Sequence, residues 1–198
     1  MPSEPLILGF DTSAAHCAAA LLRGDQIIAQ RIELMTRGQA ERLMLLLQEI
    51  LAEGGASWSD LTAIGVGVGP GNFTGIRIGV SAARGLALGL DIPAVGVTGF
   101  EARQIDGALP AIPAPRDQVY AALPDQAPRL MSASEATEAA RDAGLTFAPE
   151  ATPAGMAEAI ARCTAQRYDT ITAAPAPLYL RAADAAPSRD VPPKLLDD

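Results

Sequence analysis

Residues 65–90 read GVGVGPGNFTGIRIGVSAARGLALGL: an apolar run, a sharp Gly69-Pro70-Gly71 turn, then a helical run. A glycine turn that opens a helix can hold a phosphate, because the helix N-terminus offers free N–H groups and a partial positive charge. This turn lacks the Lys-Ser/Thr ending of a P-loop, and the G-x-G-x-x-G pattern fails at Thr74. Pro70 also removes an N–H that a phosphate cradle would use. Within the helical run, Gly75, Gly79 and Ala83 recur at four-residue spacing with Ala82 beside them. Each interior glycine costs about 1 kcal/mol of helix propensity relative to alanine. A cost repeated on one face points to close approach of another backbone, so the glycines read as packing residues rather than as a phosphate loop.

Working outward, 61–68 is a buried-strand pattern, Asn72 is an N-cap for a helix over 73–88, and 94–98 is the next strand after the break at Asp91-Ile92-Pro93. Strand, helix and strand at this spacing make a parallel crossover. Upstream, 6–10, 17–22 and 26–34 are three short strands, the last two joined by the turn Arg23-Gly24-Asp25, and together they make an antiparallel meander. Between meander and crossover lies a helix over 38–53, with Ala40, Leu43, Met44, Leu47, Ile50 and Leu51 on one stripe and Leu45 and Leu46 beside it. A helix apolar on more than one side needs more than one partner. Deep burial in the domain satisfies that, and so does packing on the sheet on one side and on another subunit on the other. The resulting order, β-β-β-α-β-α-β, is that of ribonuclease H-like domains.

The second half carries weaker signals. A short helix is expected over 99–106 and strands over 109–112 and 118–123, around the PAPRD run. Ser132 and Glu135 form a capping box for a helix ending near Gly144, and Thr152-Pro153 starts another helix with Ala157, Ile160 and Ala161 on one side. The segment APAPLYLR reads as extended, and 182–198, rich in Pro and Asp, reads as a mobile tail. The expected organisation is an N-terminal lobe over 1–98, a smaller degenerate lobe over 99–181, and that tail.

Composition narrows the function classes. Hydrophobic residues make up 49% of the 198 and charged residues 19%, enough apolar material for a core. With aromatics at 4%, small and aliphatic side chains must build it. A net charge of −8 works against tight nucleic-acid binding by this chain alone. Two cysteines far apart in sequence read as reduced thiols. No basic n-region marks a secretory signal, and Arg77 and Arg84 interrupt the best apolar run, which falls short of the roughly 20 residues of a membrane span. A cytoplasmic protein without membrane contact is expected.

Candidates for chemistry are few. One histidine, His16, cannot make a histidine pair for a metal, and no Cys/His cluster replaces it, so no metal site is expected. Asp11, Thr12 and Ser13 end the first strand, and a Ser13–His16–Asp11 hydrolase lacks a nucleophile elbow. Arg77 and Arg84, seven apart on one face of the second helix, read as a charged rim.

The run GVGPGNFTGIRIGVSAARGLA closely resembles the signature of the bacterial TsaB (YeaZ) family, as do FDTSAAHCAAALL, GQAERLMLLLQEIL and the late PLYLR. The resemblance is strong over residues 6–100 and patchy beyond. It departs from the family pattern at Gln39, at Asn72, and at Pro113, where an aspartate is usual. What it implies is an α/β protein of the actin-like/Hsp70-like ATPase superfold, with a ribonuclease H-like lobe and a smaller degenerate second lobe. It implies a non-catalytic subunit, paired with the catalytic paralogue TsaD and working with the ATPase TsaE. The complex transfers threonylcarbamoyl to the adenosine beside the anticodon of ANN-decoding tRNAs. An active ATPase or small-molecule kinase of the same superfold is the alternative. No cofactor is then required by this chain, ATP belongs to the complex, and tRNA is met only through it. In such ATPases an aspartate at the end of the first strand helps position magnesium and phosphates, which makes Asp11, Thr12 and Ser13 candidates for a vestigial nucleotide contact. In the family the first two helices contact TsaD or, when alone, a second copy. The residues this assigns to the interface are Leu43, Leu46, Leu47, Ile50, Phe73, Ile76, Arg77, Gly79, Val80, Ala83 and Arg84. Leu46→Arg or Val80→Arg would then break association without unfolding the chain.

Overall fold

A computed structural model describes residues 4–148 and 155–180. The first sheet has the strand order β3-β2-β1-β4-β5, built from β1 (Leu6–Asp11), β2 (His16–Arg23), β3 (Gln26–Leu34), β4 (Ala63–Gly67) and β5 (Ala94–Val97). β1, β2 and β3 pair antiparallel, while β4 lies parallel to β1 and β5 parallel to β4. This is the meander and crossover read from the sequence. The connecting helices are α1 (Gln39–Glu53) and α2 (Phe73–Leu90). The Asn72 side-chain oxygen accepts the Gly75 N–H at 2.8 Å, so the expected N-cap is made.

Strand β1 is buried along its whole length because helices cover both of its faces. Leu6, Leu8 and Phe10 meet Leu43, Leu46, Leu47 and Ile50 of α1 and Ile76, Val80 and Ala83 of α2 in one core cluster. Fully burying one such aliphatic side chain contributes about 1.5–3 kcal/mol. On the opposite face lies α4 (Met156–Ala165), with Ile7, Leu22, Ala63 and Ala161 packed together. A β-carbon at Gly9 would sit 2.6 Å from both the Ala157 carbonyl oxygen and the Ala161 nitrogen, so α4 rests directly on the backbone of β1. The expected apolar side of α4, Ala157, Ile160 and Ala161, is buried there. This helix belongs by sequence to the segment 99–181, yet it packs on the first sheet.

The second sheet has the order β8-β7-β6-β9, from β6 (Ala108–Ala114), β7 (Gln118–Ala121), β8 (Arg129–Ser132) and β9 (Thr146–Ala148), with α3 (Ala133–Asp142) against it. Leu109, Ala111, Val119 and Met131 form its core with Ala136 and Ala140. Ser132 and Glu135 make the expected capping box. One expectation changes and two strands appear that were not expected. The segment 99–106 holds a 3-10 turn, Glu101–Arg103, rather than a helix. β8 and β9 carry no strand signal of their own: β8 is short and runs straight into the α3 cap, and β9 is fixed by pairing with β6. The expected start of the last helix at Thr152-Pro153, and the tail 182–198, lie outside the described residues.

Candidate functional site

The first question is where the glycine face of α2 goes. A β-carbon at Gly75 would run into the Thr12 carbonyl oxygen, one at Gly71 into the Ser13 carbonyl oxygen, and one at Gly79 would sit 2.8 Å from the Thr12 hydroxyl. The partner that needs the small residues is therefore the chain's own β1–β2 hairpin. Asn72 donates its backbone N–H to the Ser13 carbonyl at 2.7 Å, and the Thr12 hydroxyl donates to the Gly75 carbonyl at 2.7 Å. These bonds close the space between the hairpin and the α2 N-terminus. Packing, not a phosphate cradle, accounts for the turn.

Asp11, Thr12 and Ser13 are buried. Asp11 Oδ2 accepts the Ser13 N–H at 3.2 Å and the Ser13 hydroxyl at 3.0 Å, and pairs with His16 Nε2 at 2.6 Å. The Thr12 and Ser13 hydroxyls thus face inward to the protein's own acceptors. The carboxylate lies between serine and histidine, and the Ser13 hydroxyl donates to Asp11 rather than to His16. A hydrolase needs the histidine in the middle, so these residues do not form that constellation. Among the described residues no cluster of three His, Cys, Asp or Glu side chains could hold a metal.

The sequence-assigned interface divides sharply by burial. Leu43, Leu46, Leu47, Ile50, Ile76, Gly79, Val80 and Ala83 are buried in the chain's own core. The periodic stripe marked Leu43, Leu47 and Ile50 as packed, but it also held Ala40 and Met44, which are exposed, and it left Leu46, which is buried, to one side; the partner of the buried residues is the first sheet and the neighbouring helix. Phe73, Arg77 and Arg84 are exposed. The surface that α1 and α2 leave open carries Met44 at 42% exposure, Leu45 at 56%, Phe73 at 38% and Leu88 at 86%. Leu46→Arg and Val80→Arg would therefore place a charge in the core, which corrects the expectation that they spare the fold.

Around Phe73 the chain adds an aromatic cluster. Tyr179 lies with its ring centroid 4.9 Å from that of Phe73. The Arg77 guanidinium sits 3.9 Å from the Phe73 centroid, and its Nε donates to the Tyr179 hydroxyl at 3.0 Å. The nearby Leu178 N–H donates to the Val68 carbonyl at 2.8 Å, fixing this extended segment beside the turn. On the other flank, Arg42 bonds Glu33 and Glu49, each at 2.6 Å, and Arg31 bonds Glu49 at 2.5 Å and Glu53 at 2.9 Å. Arg42 holds the Glu33 and Glu49 carboxyls below their usual range. Such exposed pairs shape the rim and add little stability.

Between the two sheets opens a cavity of about 690 Å³. Asp11, His16 and Asn72 line one side, Ile112, Pro113 and Tyr120 of the second sheet another, with Met156 and Arg103 between. Arg103 was not singled out in the sequence. It is a single arginine at the end of the 3-10 turn, with no periodicity or spacing to mark it.

A family model described as TsaD, tRNA N6-adenosine threonylcarbamoyltransferase, matches residues 26–164. Over 92 residues the chain is 41% identical to the tRNA threonylcarbamoyladenosine biosynthesis protein TsaB of Escherichia coli K12, covering 46% of this chain and 39% of that one. The matches span about half the length, or less, of the three TsaB relatives. Among solved structures, YeaZ from Pseudomonas aeruginosa is 31% identical, with a TM-score of 0.53 over 65% of each chain. A second structure, an uncharacterised protein with similarity to peptidase YEAZ from Pseudomonas aeruginosa, covers 89% of this chain and 100% of its own at a TM-score of 0.65. At 24% identity, that second likeness speaks for the fold alone. Sheet order, helix placement and these matches agree on an actin-like, ribonuclease H-like α/β fold, and the chain belongs to the TsaB (YeaZ) family.

Proposed function

We propose that the chain is a non-catalytic subunit of the complex that adds threonylcarbamoyl to the adenosine beside the anticodon of ANN-decoding tRNAs. In this reading it pairs with and activates the catalytic TsaD subunit in the cytoplasm, and meets tRNA and the ATPase TsaE only through the complex. The observation that carries the reading is the 41% identity to a protein named for threonylcarbamoyladenosine biosynthesis. Two features of the molecule support it. The bonds joining Ser13 to Asn72 and Thr12 to Gly75 engage the glycine turn and the start of α2 with the chain's own first hairpin. Met44 and Leu45 of α1 and Phe73 and Leu88 of α2 are exposed apolar side chains, and Arg77 and Arg84 are exposed on α2, the mixture of apolar and charged groups that a partner surface carries. TsaD, or a second copy of this chain, would cover that surface.

The test is reconstitution. TsaD, TsaE, tRNA, ATP and the threonylcarbamoyl precursor are combined with and without this chain. Modified adenosine that forms only when the chain is present supports the reading. Equal yields without it, or ATP hydrolysis by the chain alone, would support the ATPase alternative.

A further inference from the structure

The two edges of the first sheet differ. At β5, side chains meet the backbone groups beside the edge: Arg167 Nη2 donates to the Gly96 carbonyl at 2.7 Å, and Glu101 accepts the Thr98 N–H at 2.6 Å. At β3 no such cover is present among the described residues. The Met35 N–H donates to the Ala15 carbonyl at 3.0 Å, and β2 and β3 pair antiparallel with Leu34 opposite His16 and Ala29 opposite Leu21. Ladder bonds alternate along an antiparallel pair, so the odd-numbered residues from 29 to 35 bond β2. Gln30, Ile32 and Leu34 therefore turn their N–H and C=O groups outward. None of the three bonds another described segment.

An open edge is a template for another strand, and proline, lysine or a bulge commonly guards one. β3, QIIAQRIEL, has neither proline nor lysine, and its one irregularity, at Ile28, leaves 29–34 regular. The edge also carries apolar side chains. Ala18, opposite Ile32, packs with Ala157 of α4, so Ile32 and Leu34 lie on the face that α4 covers further in. The helix does not reach over them: Ile32 is 55% exposed and Leu34 87%.

We propose that β3 pairs antiparallel with β3 of a second copy of this chain about a two-fold axis at Ile32, joining two five-stranded sheets into one. Charge sets the register. With the axis at Ile32, Arg31 lies opposite Glu33 of the second copy, Glu33 lies opposite its Arg31, and the two Ile32 side chains meet. On the α1 face Arg31 already bonds Glu49 and Glu53, and Glu33 bonds Arg42, so the second copy continues an alternation of charge. An axis at Arg31 would set arginine against arginine, and one at Glu33 glutamate against glutamate. An axis at Gln30 would bring the irregular residue Ile28 into the pairing. The outward groups of Gln30, Ile32 and Leu34 then bond Leu34, Ile32 and Gln30 of the second copy. This contact uses none of the exposed residues of α1 and α2. It stands or falls independently of the subunit reading, and it leaves the ratio to TsaD at one to one, two of each.

Cysteine cross-linking of the full chain tests the register. Facing residues at the axis have Cα atoms about 5.5 Å apart, within reach of a disulfide. Under mild oxidation Ile32→Cys should give a covalent dimer. Leu34→Cys should not, although Leu34 is the more exposed, because its two copies lie about 14 Å apart along the strands. The wild type, oxidised in parallel, controls for Cys17 and Cys163. Light scattering supplies the second arm, on the chain carrying Leu45→Arg to disable the α1–α2 surface. Twice the chain mass is expected, with a dissociation constant below about 100 μM. Adding Ile32→Lys should return it to a single chain with its melting transition intact. A single-chain mass before that addition would overturn the proposal and leave the edge to a strand of a different protein. Equal cross-linking of the two cysteine variants, or a dimer that survives Ile32→Lys, would overturn it as well.

Discussion

The backbone N–H of Asn72 donates to the Ser13 carbonyl at 2.7 Å, tying the tip of the first hairpin to the first residue ahead of α2. Three residues on, the Gly75 carbonyl takes the Thr12 hydroxyl at 2.7 Å. A glycine-rich turn that looks from its sequence like a ligand loop is thereby engaged by the chain itself.

This contact predicts opposite signs for two glycine-to-alanine changes in one helix. Gly75→Ala gains helix propensity but drives a methyl group into the Thr12 carbonyl oxygen, and backbone cannot swing aside as a side chain can. A net loss of about 1–3 kcal/mol is expected. Gly85→Ala meets nothing within 4 Å, so it should stabilise by up to about 1 kcal/mol. Urea midpoints at unchanged slope measure both. Equal shifts in the two variants would show that propensity, not close approach, decides.

On α1, adjacent leucines should behave differently. Leu46 is fully buried and Leu45 is 56% exposed. Leu46→Ala should cost about 2–5 kcal/mol, and Leu46→Arg should prevent folding. Leu45→Arg should leave the melting temperature near that of the wild type while weakening association. Circular dichroism melts paired with sizing measurements separate the two effects.

Acid stability should depend on Glu101. Burial alone would raise its pKa, but Arg167, together with the Thr98 N–H and hydroxyl, more than offsets that and holds the carboxyl below its ordinary value. A depressed carboxylate contributes stability above its unfolded pKa, about 4.3, and loses it as pH falls through the lower folded value. Glu101→Gln should therefore be less stable than the wild type at pH 7, with the difference shrinking as the pH drops below about 4. A constant difference down to pH 3 would contradict the pairing.

How much of this was readable in the sequence differs by residue. The five strands and two helices of the first sheet were legible because each is an apolar run closed by a turn, and Asn72 announces its helix by local chemistry. The partner of an apolar or small-residue face was not legible. Periodicity marks Leu47 and Ala83 as packed but carries no information on whether sheet or subunit packs on them. Placement of α4 across β1 depends on Gly9, distant in sequence and silent without coordinates.

The central claim is that the open side of α1 and α2 is where TsaD binds. Its most direct test is light scattering on a sizing column, with the chain mixed with the TsaD paralogue of the same organism and then with Leu45→Arg in place of the wild type. The account predicts a one-to-one complex for the wild type and separate, folded components for the variant. A wild-type mixture that elutes as two unassociated proteins, or a Leu45→Arg variant that binds as tightly as the wild type, would contradict it.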